Sequence, residues 1–286
     1  MKKLIINADD FGWSREVVDS IIELHQKGVI TSTSVMATMP AFEYGIEKLK
    51  ENVKLGAGIH LSLFDGHPIL PPREVSTLID EKSGKFLTFE EVNKNKRRIN
   101  LNEAAAEYEA QILCFLETGV IPTHIDVHTS LPYMIPKLFN SILKLNEKYK
   151  LPMRTIVGRD LKEKSRDLAR RQKIPAFIIR LAGNRLLKGM SKFGISHPDY
   201  FITDFSDGNN EAAVDDKIAI IKSTLINLPE GITEILTHPS LGDEKWRQIE
   251  NEAWNSKELQ ELLKPQKSIL STYRIFDVKE NNEGLH

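Results

Sequence analysis

Short apolar segments alternate with amphipathic helical segments along almost the whole of this chain, and that rhythm leaves few folds open. A strand returns parallel to its neighbour only through a long crossover, usually a helix, so strict alternation builds a parallel sheet. Leu4-Ile5-Ile6, after two lysines, reads as the first buried strand. Ser14 is placed to cap a helix carrying Val17, Val18, Ile21, Ile22 and His25, which Gly28 ends. Ile30 to Met36 reads as a second strand, Phe42 to Glu51 as a helix and Lys54 to Leu63 as a third strand. Asn102 is read as the cap of a helix presenting Ala105, Tyr108, Ile112, Phe115 and Leu116, with Gly119 as its stop. Pro122 to His128 and Thr233 to Thr237 follow as strands, with helices at Ile135 to Tyr149 and on Val214, Ile218, Ile221, Leu225 and Leu228. Ser271 to Phe276 reads as a last strand. A chain of 286 residues has the length of one α/β barrel. The expectation is a single α/β domain over residues 1–286, its strand and helix units closing into a parallel (β/α) barrel.

Two stretches break the rhythm. Residues 65–100 hold Gly66, Pro68, Pro71 and Pro72 and then Lys94, Lys96, Arg97 and Arg98, which reads as an insertion at the barrel mouth. Arg159 to Lys173 is also basic and reads as a solvated helix face. The polar tail from Lys279 to His286 reads as frayed. A formal net charge of -1 gives no electrostatic reason to expect nucleic acid or an acidic membrane as partner. The lone cysteine, Cys114, fits a reducing compartment. Neither a signal peptide nor a transmembrane helix is read in the chain, so the expected location is the cytoplasm.

Chemistry on a parallel sheet gathers at the carboxyl ends of its strands. Asp9 and Asp10 end the first strand, His60 lies near the end of the third, and His128 and His238 end later ones. An adjacent Asp pair either caps the next helix or holds something positive, since two free carboxylates repel. One histidine beside apolar residues is usually structural, but several at the same end of separate strands point to a shared site. In Thr123-His124-Ile125-Asp126-Val127-His128, alternation puts His124, Asp126 and His128 on one face. Asp126 is a candidate to orient a ligating imidazole, and His124, deeper in the strand, reads as structural.

Four segments then carry a specific resemblance. Asn7-Ala8-Asp9-Asp10-Phe11-Gly12, Gly58-Ile59-His60-Leu61-Ser62-Leu63, Pro122-Thr123-His124-Ile125-Asp126-Val127-His128 and His238-Pro239, in that order and spacing, resemble the YdjC-like carbohydrate deacetylases. Leu151-Pro152-Met153-Arg154 is similar to a further family segment in which the arginine faces the site. The resemblance implies a distorted, TIM-like (β/α) barrel related to the polysaccharide deacetylases, binding one divalent ion. On these positions Asp10, His60 and His128 would be the metal ligands, Asp9 the general base and His238 the general acid, with Arg154 orienting the base or the anion. The implied substrate is an acetylated amino sugar or short oligosaccharide, cut to acetate and free amine. Consecutive side chains leaving a strand diverge, which would let Asp9 and Asp10 take different roles.

Two imidazoles and a carboxylate favour zinc by affinity, whereas the family points first to magnesium. Thr129-Ser130 stands where many relatives continue with histidines, which puts a sugar contact in question. Trp13 and Phe64 beside the site read either as sugar-stacking aromatics or as packing. The alternatives are an inactive sugar-binding or regulatory protein on the same barrel, or another metal-dependent amide or ester hydrolase. A second metal would have only His124 and Asp126 to draw on. The sequence leaves the oligomeric state open, and a homodimer is admitted only as the commonest symmetric oligomer.

Overall fold

A computed structural model describes residues 1–94, 99–172, 175–206 and 211–277. In chain order the elements are β1 (Lys2–Phe11), α1 (Arg15–Gln26), β2 (Ser32–Val35), α2 (Phe42–Glu51), β3 (Gly56–Leu61), α3 (Phe89–Lys94), α4 (Leu101–Glu117), β4 (Ile125–Val127) and α5 (Leu131–Met134). They continue as α6 (Pro136–Tyr149), α7 (Leu161–Gln172), α8 (Ala176–Lys192), β5 (Tyr200–Ile202), α9 (Val214–Ile226), β6 (Gly231–Thr237), α10 (Lys245–Asn255) and α11 (Lys257–Leu263). The strands form one six-stranded sheet in the order β4-β3-β2-β1-β6-β5, and every neighbouring pair is parallel. No helix among the described residues is long and apolar enough to cross a membrane.

The two faces of this sheet differ in chemistry. Leu4, Ile6, Ala8, Ala57, Ile59, Leu61, Ile125 and Val127 belong to the main apolar core, packed with the helices that the crossovers supply. The opposite face is polar and buried: Asn7 and Asp9 on β1, Ser32 and Ser34 on β2, His60 on β3, Asp126 on β4 and Glu234 on β6. Strand register aligns these groups, with Asn7 opposite Ser32, His60 opposite Asp126 and Ile5 opposite Glu234. Gly58 completes this face because a Cβ there would overlap the ring of His124. That ring stacks on Tyr273, centroids 3.9 Å apart.

One guanidinium shows how far the sheet curls. Four strand spacings separate β4 from β6, about 19 Å in a flat sheet. Arg154 nevertheless reaches Asp126 on β4 at 2.9 Å and Glu234 on β6 at 2.8 Å. The polar face is therefore the concave one. Met153, just before this arginine, bridges in parallel to Ile125, and its N–H bonds to Ser196 at 2.9 Å, continuing the wall beyond β4.

Several boundaries depart from the sequence reading. The strand expected over Ser271 to Phe276 is instead an isolated bridge between Leu4 and Leu270 followed by a single 3₁₀ turn over Tyr273–Ile275. The Thr272 side chain caps that turn through the N–H of Arg274. The cap of α4 is Asn100, whose side chain accepts from the N–H of Asn102, so Asn102 lies inside the first turn. The strand read over Pro122 to His128 shortens to β4, although Thr123 and His128 still donate to Ala57 and Leu61. In residues 65–100, Val75, Leu78, Ile79, Phe86, Leu87 and Val92 join the main core. Glu107 on α4 anchors this stretch by accepting from the N–H groups of Ile69 and Leu70, both at 3.0 Å. Lys96, Arg97 and Arg98, Lys173 and the tail from Lys279 lie outside the described residues.

Candidate active site

β1 does not end as a plain strand. Its register with β2 shifts between Ala8 and Phe11, and Asp10 takes a left-handed backbone with φ 64°, a conformation that Asp tolerates better than most residues. The turn cancels the alternation expected to part the two carboxylates. Asp9 Oδ2 lies 3.7 Å and Asp10 Oδ1 3.5 Å from the same atom, His60 Nε2. Both carboxylates are buried.

Partners separate them instead. Arg154 donates to both oxygens of Asp9, Nη1 to Oδ2 and Nη2 to Oδ1, each at 2.6 Å. Asn7 adds a donor to Oδ1 at 2.8 Å. Arg154 also bonds Asp126 and Glu234, and these carboxylates hold its charge well above its ordinary range despite burial. The arginine therefore orients the candidate base, and none of its bonds leaves it aimed at an anion. Asp10 is held by a different cation: Arg247 on α10 donates to its Oδ2 at 2.6 Å. That guanidinium lies over Trp246, 4.5 Å from the ring centroid, with Glu244 on its Nε at 2.6 Å.

The three residues expected to bind metal come together. Asp10 Oδ1 is 3.2 Å from His128 Nδ1 and 3.5 Å from His60 Nε2, and the two ring nitrogens are 3.3 Å apart. Donors about 2.1 Å from one ion, in octahedral or tetrahedral arrangement, stand about 3.0–3.5 Å apart. Asp10 Oδ1 is buried with no hydrogen-bond partner. Tautomers complete the match. His60 Nδ1 lies 2.7 Å from Asp126 Oδ1 and His128 Nε2 lies 3.2 Å from Asp65 Oδ2. In the neutral rings that an ion would require, each of those nitrogens donates to its carboxylate, which turns a lone pair on the other nitrogen toward Asp10. These residues fit a divalent cation. A second grouping, Asp9, His60 and Asp126, fits less well because Arg154 already neutralises both carboxylates.

Protonation reflects this crowding of charge. Burial disfavours the His60 imidazolium, yet Asp126 and Asp9 outweigh it and push the ring up to about 10. His128 rises for the same reason, with Asp10 and Asp65 overcoming burial. Asp10 stays well below the usual carboxylate range, since His128, His60 and Arg247 outweigh its burial.

His238 follows the last residue of β6, whose Thr237 pairs with Ala8, so it leaves the sheet beside Asp9. Its Nδ1 lies 2.7 Å from Ser206 Oγ. Among the other residues singled out in the sequence, His124 is confined to the interior by Tyr273 and by Thr123 at 3.0 Å. Phe64 is fully buried and edge-on to Phe89. Trp13 is half-buried, with its ring 6.1 Å from His128 and 5.4 Å from the Arg247 guanidinium.

Sequence reasoning missed Asp65, Glu234, Arg247, Ser206 and Glu250. Glu234 had a signal, an acidic residue inside an otherwise uncharged strand. Asn7 had one too, two residues before Asp9 on the same strand face. Arg247 had none, since it reaches Asp10 across 237 positions of sequence.

The YdjC-like protein family matches residues 3–265 of this chain. A carbohydrate deacetylase of Listeria monocytogenes is 30% identical over 283 residues, covering 95% of this chain and 99% of that protein. A carbohydrate deacetylase of Enterococcus faecalis is 42% identical over 159 residues, covering 54% of this chain; the match spans 58% of that relative's length. The fold is similar to the crystal structure of an Enterococcus faecalis protein named for cellobiose-phosphate cleavage, with TM-score 0.75, 29% identity and coverage of 96% of this chain and 98% of that one.

Proposed function

This chain belongs to the YdjC-like family, and on that premise we propose that it is a metal-dependent carbohydrate deacetylase. It removes the N-acetyl group of an acetylated amino sugar or short chitooligosaccharide, giving acetate and free amine. The observation that carries this reading is the convergence of the buried Asp10 Oδ1 with one nitrogen of each of two imidazoles, with Asp9 held beside it by Arg154.

Asp10, His60 and His128 hold the ion, magnesium in this reading, with zinc the other outcome of metal analysis. Once bound, a divalent ion polarises the acetyl carbonyl and acidifies water. Asp9 takes the proton from the attacking water. Its carboxylate is fixed by two bonds from Arg154 and one from Asn7, so little reorganisation is needed as the proton arrives. Arg154 acts by positioning that base. His238 gives a proton to the departing sugar amine, a task suited to an imidazole. Asp126 and Asp65 keep the two ligating rings in the tautomer that binding requires.

The same reading takes the chain as one catalytic domain, a distorted (β/α) barrel with an insertion over residues 65–100, working in the cytoplasm as a homodimer. Relatives named for deacetylation and for cellobiose-phosphate cleavage both support a small carbohydrate as substrate. Acetate release from N-acetylated chitobiose tests the reading. Metal-loaded protein is expected to release acetate, and Asp9→Asn to be slower by roughly 10²–10⁴-fold. Equal inertness of both across a panel of acetylated sugars would overturn it in favour of a binding protein.

A further inference from the structure

Glu250 lies on α10, fully buried, behind the sheet edge from which His238 emerges. Its Oε2 accepts from the backbone N–H of His238 at 2.7 Å and from Thr237 Oγ1 at 2.8 Å. Thr237 Oγ1 in turn accepts from Trp254 Nε1 at 2.8 Å, so its own proton goes to the carboxylate. Oε1 accepts from Ser206 Oγ at 2.7 Å, and that same hydroxyl lies 2.7 Å from His238 Nδ1.

With Glu250 as the carboxylate, the proton count in this chain has one solution. A hydroxyl has a single proton, and a carboxylate only accepts. Ser206 therefore spends its proton on Glu250 and offers a lone pair to His238, whose Nδ1 must carry the hydrogen. A neutral His238 is left with Nε2 bare.

We propose that Glu250 and Ser206 form a relay that fixes the tautomer of His238, making both positioning residues for the proton donor. The proposal rests on the role of His238 in the deacetylase reading. As the imidazolium acts, its Nε2–H bond breaks, the electron pair of that bond stays on Nε2, and an N–H bond forms on the departing amine. Nδ1 keeps its proton throughout, hydrogen-bonded to Ser206. The ring is thereby left in the one neutral form that the relay stabilises, and Nε2 is ready for the next proton. The logic is that of a buried acid orienting a catalytic imidazole, here with a hydroxyl between the two.

Long-range ¹H–¹⁵N spectra of the intact, metal-loaded protein read this tautomer directly, with His238 assigned by the signal lost in His238→Gln. Wild type is expected to be mainly Nδ1–H when the ring is neutral. Ser206→Ala should bring that form below half, and Ser206→Thr should retain it. Glu250→Gln should reverse the chain, because its amide can donate to Ser206 and turn the hydroxyl toward Nδ1. Ser206→Ala should also lower kcat about tenfold or more with KM within about twofold. An unchanged tautomer in both Ser206→Ala and Glu250→Gln would overturn the relay. If the tautomer responds but wild type deacetylates nothing, the deacetylase reading fails and the relay stands. An active wild type with an unresponsive tautomer removes the relay alone.

Discussion

Arg154→Met tests the concave polar face at its most connected point. The guanidinium is only 3% exposed and is shared by Asp9, Asp126 and Glu234 at 2.6–2.9 Å. Removing one partner of a buried pair typically costs about 3–5 kcal/mol, because the remaining charge is stranded. Here the loss is softened at two of the three acids. Asp126 keeps Ser34 and His60, and Glu234 keeps the Tyr273 hydroxyl. Asp9 retains the Asn7 donor and the His60 ring 3.7 Å away, so the expected cost stays within about 3–5 kcal/mol at pH 7 rather than tripling. The sign of the pH dependence follows from Asp126. Its carboxyl lies well below the ordinary 3.8 despite burial, chiefly through Arg154 and His60. That contribution is present above 3.8 and is lost as pH falls toward the depressed folded value. The gap between wild type and variant should therefore be widest at neutral pH and narrow in acid. Urea midpoints at fixed slope, measured at several pH values, give the comparison. Arg154→Lys keeps the charge without the paired donors and should fall between the two. A cost below about 1 kcal/mol at pH 7, or a gap that widens in acid, would refute the argument.

Further expectations follow from the site. The His60 proton stabilises the metal-free fold fully below 6.5, and that share is lost as pH rises through about 10. Thermal midpoints of metal-free protein should thus fall across this window, while saturating divalent ion, taking the place of the protons, should flatten the decline. Arg247→Gln removes a fixed positive charge bonded to Asp10, so chelator competition should show the ion bound about tenfold or more tightly; unchanged or weaker binding counts against the assigned ligand. Gly58→Ala drives a methyl into the His124 ring and should destabilise by about 1–3 kcal/mol in urea melts, an effect absent if the ring can yield.

Much of the site was legible because parallel strands deliver their last residues to one edge. Asp9, Asp10, His60, His128 and His238 could be ordered by strand ends alone, and the helices over Phe42–Glu51 and Pro136–Tyr149 showed clear apolar periods. The division between the two carboxylates was misjudged in its cause. Strand alternation should have parted them, but a left-handed Asp10 turned both toward His60, and Arg154 and Arg247 tell them apart. Such a bulge has no periodic trace in sequence. β5 is only three residues long, too short for alternation to register. The segment after Leu270 had strand-like residues, but the sheet contacts it through one bridge and then uses Tyr273 to reach Glu234. Tertiary bonding decided that conformation. Asp65, Arg247 and Glu250 come from a loop and a helix, where nothing local distinguishes a site residue from a solvated one.

The central claim is that neighbouring carboxylates divide the work, Asp10 holding the ion and Asp9 moving the proton. Equilibrium dialysis of Asp9→Asn and Asp10→Asn against magnesium and zinc tests it most directly, since Asn tolerates the left-handed backbone at position 10. Asp9→Asn should bind one equivalent with near wild-type affinity, and Asp10→Asn should lose at least about tenfold. Full occupancy in Asp10→Asn alongside loss of the ion from Asp9→Asn would contradict the assignment.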